Sequence, residues 1–163
     1  MAYRRRQYRR SSGQRDKYSV EQTGFAYGLP TEPTNGLRQQ AVVVVPPVDV
    51  QGMRKVKHLT VSLTQIGGDQ WAFHWALVFV PQGYTPNALY SLTGSVSGSV
   101  YEPNQFVLNA GIADPTAGPV RIRSPISRNL NSGDAIYLVY GVTQAATGSV
   151  SVTGIVRYAV TLQ

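Results

Sequence analysis

No cysteine occurs in the chain. That absence excludes a disulfide framework, a thiolate zinc site and a cysteine nucleophile. Charge is also sparse: 14% of the residues are Asp, Glu, Lys or Arg, against about 25% in an ordinary soluble domain. Much of the surface is therefore left to Ser, Thr, Asn, Gln and Gly. Such a surface fits a subunit covered by its neighbours, and equally a free-standing β domain with a neutral polar exterior. His58 and His74 are the only histidines, and no cluster of carboxylates accompanies either, so no metal site and no cofactor are expected. His74 lies in an apolar stretch and reads as a hydrogen-bonded core or interface residue. The acids after residue 17 are scattered, and Asp69, Asp114 and Asp134 stand beside Gly or Pro, where Asx turns account for them. There is no GxSxG, HExxH, phosphate-binding Gly loop or dinucleotide fingerprint, so an enzyme is not expected. No apolar run reaches the ~18 residues needed to span a bilayer, and no membrane insertion is expected.

Positive charge is abundant in one place only. Residues 1–17 hold Arg4, Arg5, Arg6, Arg9, Arg10, Arg15 and Lys17 against the single acid Asp16, a net +6. The whole chain is +7, so the remaining residues sum to about +1. The arm has no Val, Ile, Leu or Phe, and it cannot bury enough apolar surface to offset the entropy of ordering itself. No apolar stretch follows its charges, so a secretory signal is not expected, and the clustered arginines argue against an organelle transit peptide and for nucleic-acid contact or nuclear import. Arg binds phosphate bidentately, and Tyr3 and Tyr8 are placed to stack on unpaired bases. A solubilising tail is the bland alternative.

Residues 18–37 carry Gly24, Gly28, Pro30, Pro33 and Gly36 and read as an extended strap that leaves the body and lies along a neighbour. Strands are predicted over 40–46, 53–66, 71–80, 105–112, 120–130, 135–142 and 149–162. The 71–80 run is apolar on both faces and should be a central strand. Pro125 should interrupt 120–130, marking an edge or a bulge. The eighth strand is expected from 84–100 or from a split at Pro125, with one helical turn near 86–90. Helices nearly absent, short turns and long strands predict an all-β chain: a single eight-stranded antiparallel jelly roll in two sheets, occupying 38–163.

Several strings then become informative together: GYTP at 83–86, SVYEPNQFVL at 99–108, AGPVRIRSPISRNLNSGDAIYLV at 117–139 and RYAVTL at 157–162. In this order they resemble the capsid proteins of small circular single-stranded DNA viruses, the circovirus-like assemblage. The resemblance covers roughly the C-terminal half. It implies a jelly roll that assembles with itself, sixty copies in the smallest (T=1) icosahedral shell, around a single-stranded DNA genome met by the basic arm. It also implies a virion location, with import machinery carrying the protein to the host nucleus through the same arm. The arm and surface loops are shorter than in circoviruses proper, so no receptor surface is carried over. A satellite-type RNA coat protein and a non-viral β-sandwich binding module remain as alternatives, because phosphate contact does not distinguish DNA from RNA.

A second basic cluster is Arg54, Lys55 and Lys57. In an alternating strand Lys55 and Lys57 share one face, in phase with Leu59, Val61 and Leu63. They are expected at the rim, past the end of the core stripe, or after a bulge that shifts the phase. A genome-facing patch of all three is expected, with edge-protecting lysines as the alternative. Arg121 and Arg123 also share a face, as inter-subunit ion pairs or plain surface charge.

Overall fold

The computed structural model describes residues 18–31, 37–67, 72–86, 105–125, 127–143 and 148–162. The arm, Trp71 and the turn expected near 86–90 (beyond Pro86) lie outside these. Nine strands form among the described residues: β1 (Ser19–Gly28), β2 (Leu37–Val45), β3 (Arg54–Ile66), β4 (Phe73–Val80), β5 (Phe106–Ala113), β6 (Val120–Ser124), β7 (Arg128–Leu130), β8 (Ala135–Thr143) and β9 (Ser151–Leu162). One short 3-10 turn, Pro115–Ala117, follows Asp114, whose Oδ1 accepts from the Thr116 amide at 2.8 Å. This is the Asx role expected of that residue.

One sheet runs β1-β9-β3-β6, with β7 also on β3; the other runs β2-β8-β4-β5. All the pairings are antiparallel. β6 and β7 occupy a single edge position, parted around Pro125. A proline has no N–H to give a ladder, and an edge tolerates the break. Counted together they leave eight positions, ordered 1-8-3-6 in one sheet and 2-7-4-5 in the other. That interleaving is the jelly roll.

The strap differs from expectation. Ser19–Gly28 is not a departing segment but β1, paired over all ten residues with β9 of the same chain, and the Leu29 amide extends the ladder to Val150 O at 2.8 Å. Among the described residues it supplies the eighth strand position; of the alternative stretch 84–100, residues 87–100 lie outside the described residues. Gly24 and Gly28 of β1 stand in the ladder without any close approach that requires glycine; the glycine that matters to the docking is on the partner strand. A Cβ on Gly154 would stand 2.5 Å from Ser62 O and 2.8 Å from Phe25 Cζ, and Phe25 is Gly154's direct partner. The aromatic ring covers the bare glycine across the ladder. Leu29, at the end of this segment, joins the core.

Between the sheets lies one apolar core that includes Val42, Val56, Leu59, Val61, Phe73, Leu77, Ile122, Leu138 and Val156. β4 sits between β8 and β5 as expected, and its other face contributes Ala76, Val78 and Val80 to a second buried cluster with Leu37 and Val139.

The β3–β9 ladder contains one irregularity that matters for everything outside the core. Lys57 pairs with Ala159, but the next pair is Thr60 with Arg157. β3 thus spends three residues where β9 spends two, which is a β-bulge. His58 lies in it with φ 55°, a left-handed conformation rare for a side-chain-bearing residue. One extra residue exchanges the two faces. Arg54 and Val56 point inward before the bulge, and Leu59, Val61 and Leu63 point inward after it. His58→Val should cost ~1–3 kcal/mol, because a β-branched residue resists positive φ. His58→Gly should be tolerated. The urea midpoints of the two variants check this.

Candidate nucleic-acid interface

Residues 18–163 hold eight cations, the chain's fifteen less the arm's seven. The fold divides them into three groups.

Arg38 and Arg54 are buried. Arg38 Nε donates to Pro30 O at 2.7 Å and its Nη1 to Gly148 O at 2.9 Å, tying the segment after β1 to the start of β9. Arg54 Nη2 donates to Pro46 O at 3.0 Å and to Asp134 O at 3.2 Å. A buried carbonyl without a donor costs ~1–3 kcal/mol, and these guanidiniums satisfy carbonyls that leave strand ends. Arg54 therefore does not belong to the genome-facing patch expected of it. The bulge at His58 puts its side chain on the core side.

Arg128 forms the second group alone. Its guanidinium carbon lies 4.3 Å from the Phe79 ring centroid and 5.5 Å from that of Phe106. It covers the aromatic edge of the sandwich, a cation–π arrangement.

The third group shares one surface. Across the outer face of the β1-β9-β3-β6 sheet, Gln22, Arg157, Thr60 and Arg123 stand in one row, and Gly24, Ile155, Ser62 and Arg121 in the next. Lys57, opposite Ala159, and Lys55, opposite Thr161 and Asn129, continue the same face beyond the bulge. Lys55 and Lys57 are thus aligned with Thr60 and Ser62, not with the core stripe. Arg121, Arg123 and Arg157 are exposed, and Lys55 and Lys57 half-buried. No carboxylate shares these rows among the described residues.

A depression of about 330 Å³ lies among Arg121, Arg123, Arg157, Gln22, Thr60 and Ser62. Adjacent strands are ~4.8 Å apart and alternate residues ~6.7 Å. Arg123 and Arg157 thus stand roughly 10 Å apart on either side of Thr60, with Arg121 about 7 Å from Arg123. Such spacing lets flexible side chains close on one phosphate group or bridge two. A second hollow of about 390 Å³ shares Ser62 and Ile155 and is bared by Gly24 and Gly154. The root of the arm lies on this surface too: Lys57 Nζ sits 4.7 Å from the Tyr18 ring centroid.

The expected arm residues Arg4, Arg5, Arg6, Arg9, Arg10, Arg15, Lys17, Tyr3 and Tyr8 lie outside the described residues. Lys55 and Lys57 stand on the exposed side as expected. Arg157 was not singled out from the sequence, and Arg121 and Arg123 were read only as a pair. Nothing in the linear order shows that residues 121, 123 and 157 meet across β3.

His74, on β4, is half-buried, and this burial holds its imidazole below the ordinary pKa. The folded state thus binds that proton less readily than the unfolded chain. Stability from this group is complete above the unfolded value of about 6.5 and is lost as pH falls from there toward the folded value. The urea midpoint should fall between about pH 7.5 and pH 5.5, and His74→Gln should reduce that fall. Arg54→Met should lower stability by ~1–3 kcal/mol through the orphaned carbonyls, while nucleic-acid affinity stays unchanged in a filter-binding assay.

No family model matches the chain, and no curated protein matches it. Solved structures do match. A chain of the infectious bursal disease virus Gt strain structure aligns with a TM-score of 0.43 at 12% identity, over 91% of this chain and 32% of its own length. This chain thus spans about a third of that one. A Desmodium yellow mottle tymovirus chain aligns with a TM-score of 0.33 at 10% identity, over 88% of this chain and 89% of its own. The jelly-roll assignment itself rests on the strand order of the two sheets.

Proposed function

We propose that this chain is the coat protein of a small virus. It assembles with itself into an icosahedral shell, sixty copies in the T=1 form, and packages a single-stranded genome through its Arg-rich arm. The observation that carries the reading is the direct fusion of a +6 segment to the first strand of a jelly roll. The segment supplies phosphate neutralisation without sequence preference, and the rigid β body supplies shape. Keeping most of the net charge on the arm limits repulsion between bodies packed side by side. DNA is the preferred genome because of the strings at 99–108 and 117–139; the residues that touch phosphate do not discriminate. Arginine clusters at 4–6 and 9–10 also suit import into the host nucleus, and the virion is the final location.

Purified full-length protein should elute as a large closed particle, be spherical by negative-stain microscopy, and protect nucleic acid that DNase digests after release. Replacing Arg4, Arg5, Arg6, Arg9, Arg10 and Arg15 with Gln should leave particles that carry several-fold less nucleic acid, read from the ultraviolet absorbance ratio. A monodisperse monomer at every salt concentration would remove the shell. An unchanged load would remove the arm's role. A genome sensitive only to RNase would replace DNA with RNA.

A further inference from the structure

We infer that the outer face of the β1-β9-β3-β6 sheet is a second nucleic-acid-binding surface, taking the phosphodiester backbone of a single strand at Arg121, Arg123 and Arg157 and along Lys55 and Lys57. This rests on the proposed reading of the chain as a shell protein that packages nucleic acid, and it adds which side of the subunit faces the genome.

The body is neutral only in sum. Of its eight cations, two are buried on backbone carbonyls and one is stacked on Phe79 and Phe106. The remaining five lie on one face of one sheet. Like charges gathered on a face with no described carboxylate repel one another, and the arrangement is relieved when a polyanion covers it. The cations follow β3 from the Lys55 row to the Ser62 row, seven residues or roughly 23 Å. That is a track and not a point site, so it suits a chain of phosphates better than a single ion. The polar lining is of donor type: guanidiniums with the Thr60 and Ser62 hydroxyls and the Gln22 amide, groups that serve phosphate oxygens.

The second observation is continuity with the arm. Tyr18, next in sequence to Lys17, packs against Lys57, so the arm starts from one end of the track. A strand captured by the arm is delivered to this face and not to the opposite sheet. In a sixty-copy shell the arms carry about 360 positive charges against one negative charge per nucleotide. The face adds about 300 more, five per copy, which nearly doubles the length of strand the protein can neutralise.

The test uses full-length protein and fluorescein-labelled (dT)20, with the six arm arginines already replaced by Gln to expose the body's contribution. Anisotropy titrations across salt should show residual binding. Adding Arg121→Gln, Arg123→Gln and Arg157→Gln should weaken it at least tenfold and lower the slope of log K against log salt by about 2, at ~0.7 per single-strand phosphate contact. Modification of unaltered protein with an arginine-specific dicarbonyl, mapped by mass spectrometry, gives a readout independent of any variant. (dT)20 should protect Arg121, Arg123 and Arg157, while Arg128 changes little. Absence of residual binding, an unchanged slope, or no protection would each overturn the inference. So would binding of a sulfated glycan but not of (dT)20, or loss of assembly with unaltered (dT)20 affinity, which would make the three arginines an inter-subunit surface. These outcomes are separable from failure of the shell: a monomer that still binds (dT)20 through this face sinks the capsid reading alone, and closed particles whose arginines remain unprotected sink this inference alone.

Discussion

One extra residue in β3 governs both the inside and the outside of this molecule. A strand alternates its side chains between two faces, and the whole set exchanges when the register moves by one. Without the bulge at His58, Lys55 and Lys57 would share a face with Leu59, Val61 and Leu63, and two ammonium groups would enter a dry core. With it, Val56 continues the core stripe and the lysines join Thr60 and Ser62 outside. The break between β6 and β7 falls on the same stretch of β3: Val56 pairs with Arg128 and Leu59 with Ser124. The edge strand next to β3 is interrupted at Pro125, opposite the bulge.

The same constraint sorts the cations by use. Arg54 comes before the bulge on the inward phase, and its guanidinium is consumed by Pro46 O and Asp134 O. Its immediate neighbour Lys55 faces out. Two adjacent residues of like charge thus serve opposite ends, one holding strand termini together and the other adding to a surface field. A count of charge along the chain cannot reveal this, because it weights a buried arginine and an exposed one equally. The near-neutral body is in fact strongly polarised: its free cations lie on one face, and its described exposed acids, Glu21, Asp49 and Asp114, stand outside the rows of that face.

β1 connects the two halves of the molecule's chemistry. It forms an edge of the polarised sheet, and it carries the arm. It pairs with β9 over ten residues, and its Phe25 ring lies over Gly154, where a Cβ would stand 2.8 Å from Cζ. Gly154 lies on β9, between β1 and β3, and its missing side chain leaves the space the ring needs. The outcome is mechanical: a segment rich in positive charge is rooted on the sheet face that is itself positive.

The amino-acid order by itself determined the fold class, most strand positions, the central place of β4, the break at Pro125 and the segregation of charge into the arm. Each is written in local terms: alternation, β-branched runs, turn residues, and the ratio of charge to apolar content. It left two possibilities for Lys55 and Lys57, and only the tertiary structure chose the bulge, because the register of β3 against β9 is a relation between residues about a hundred positions apart. It misread 19–28, since glycines signal a break locally and only the partner strand reveals that the segment is paired. The cationic face was beyond its reach for the same reason. Arg121, Arg123 and Arg157 belong to two strands brought to either side of β3 by the jelly-roll crossing, and their common phase exists only once the ladders are formed.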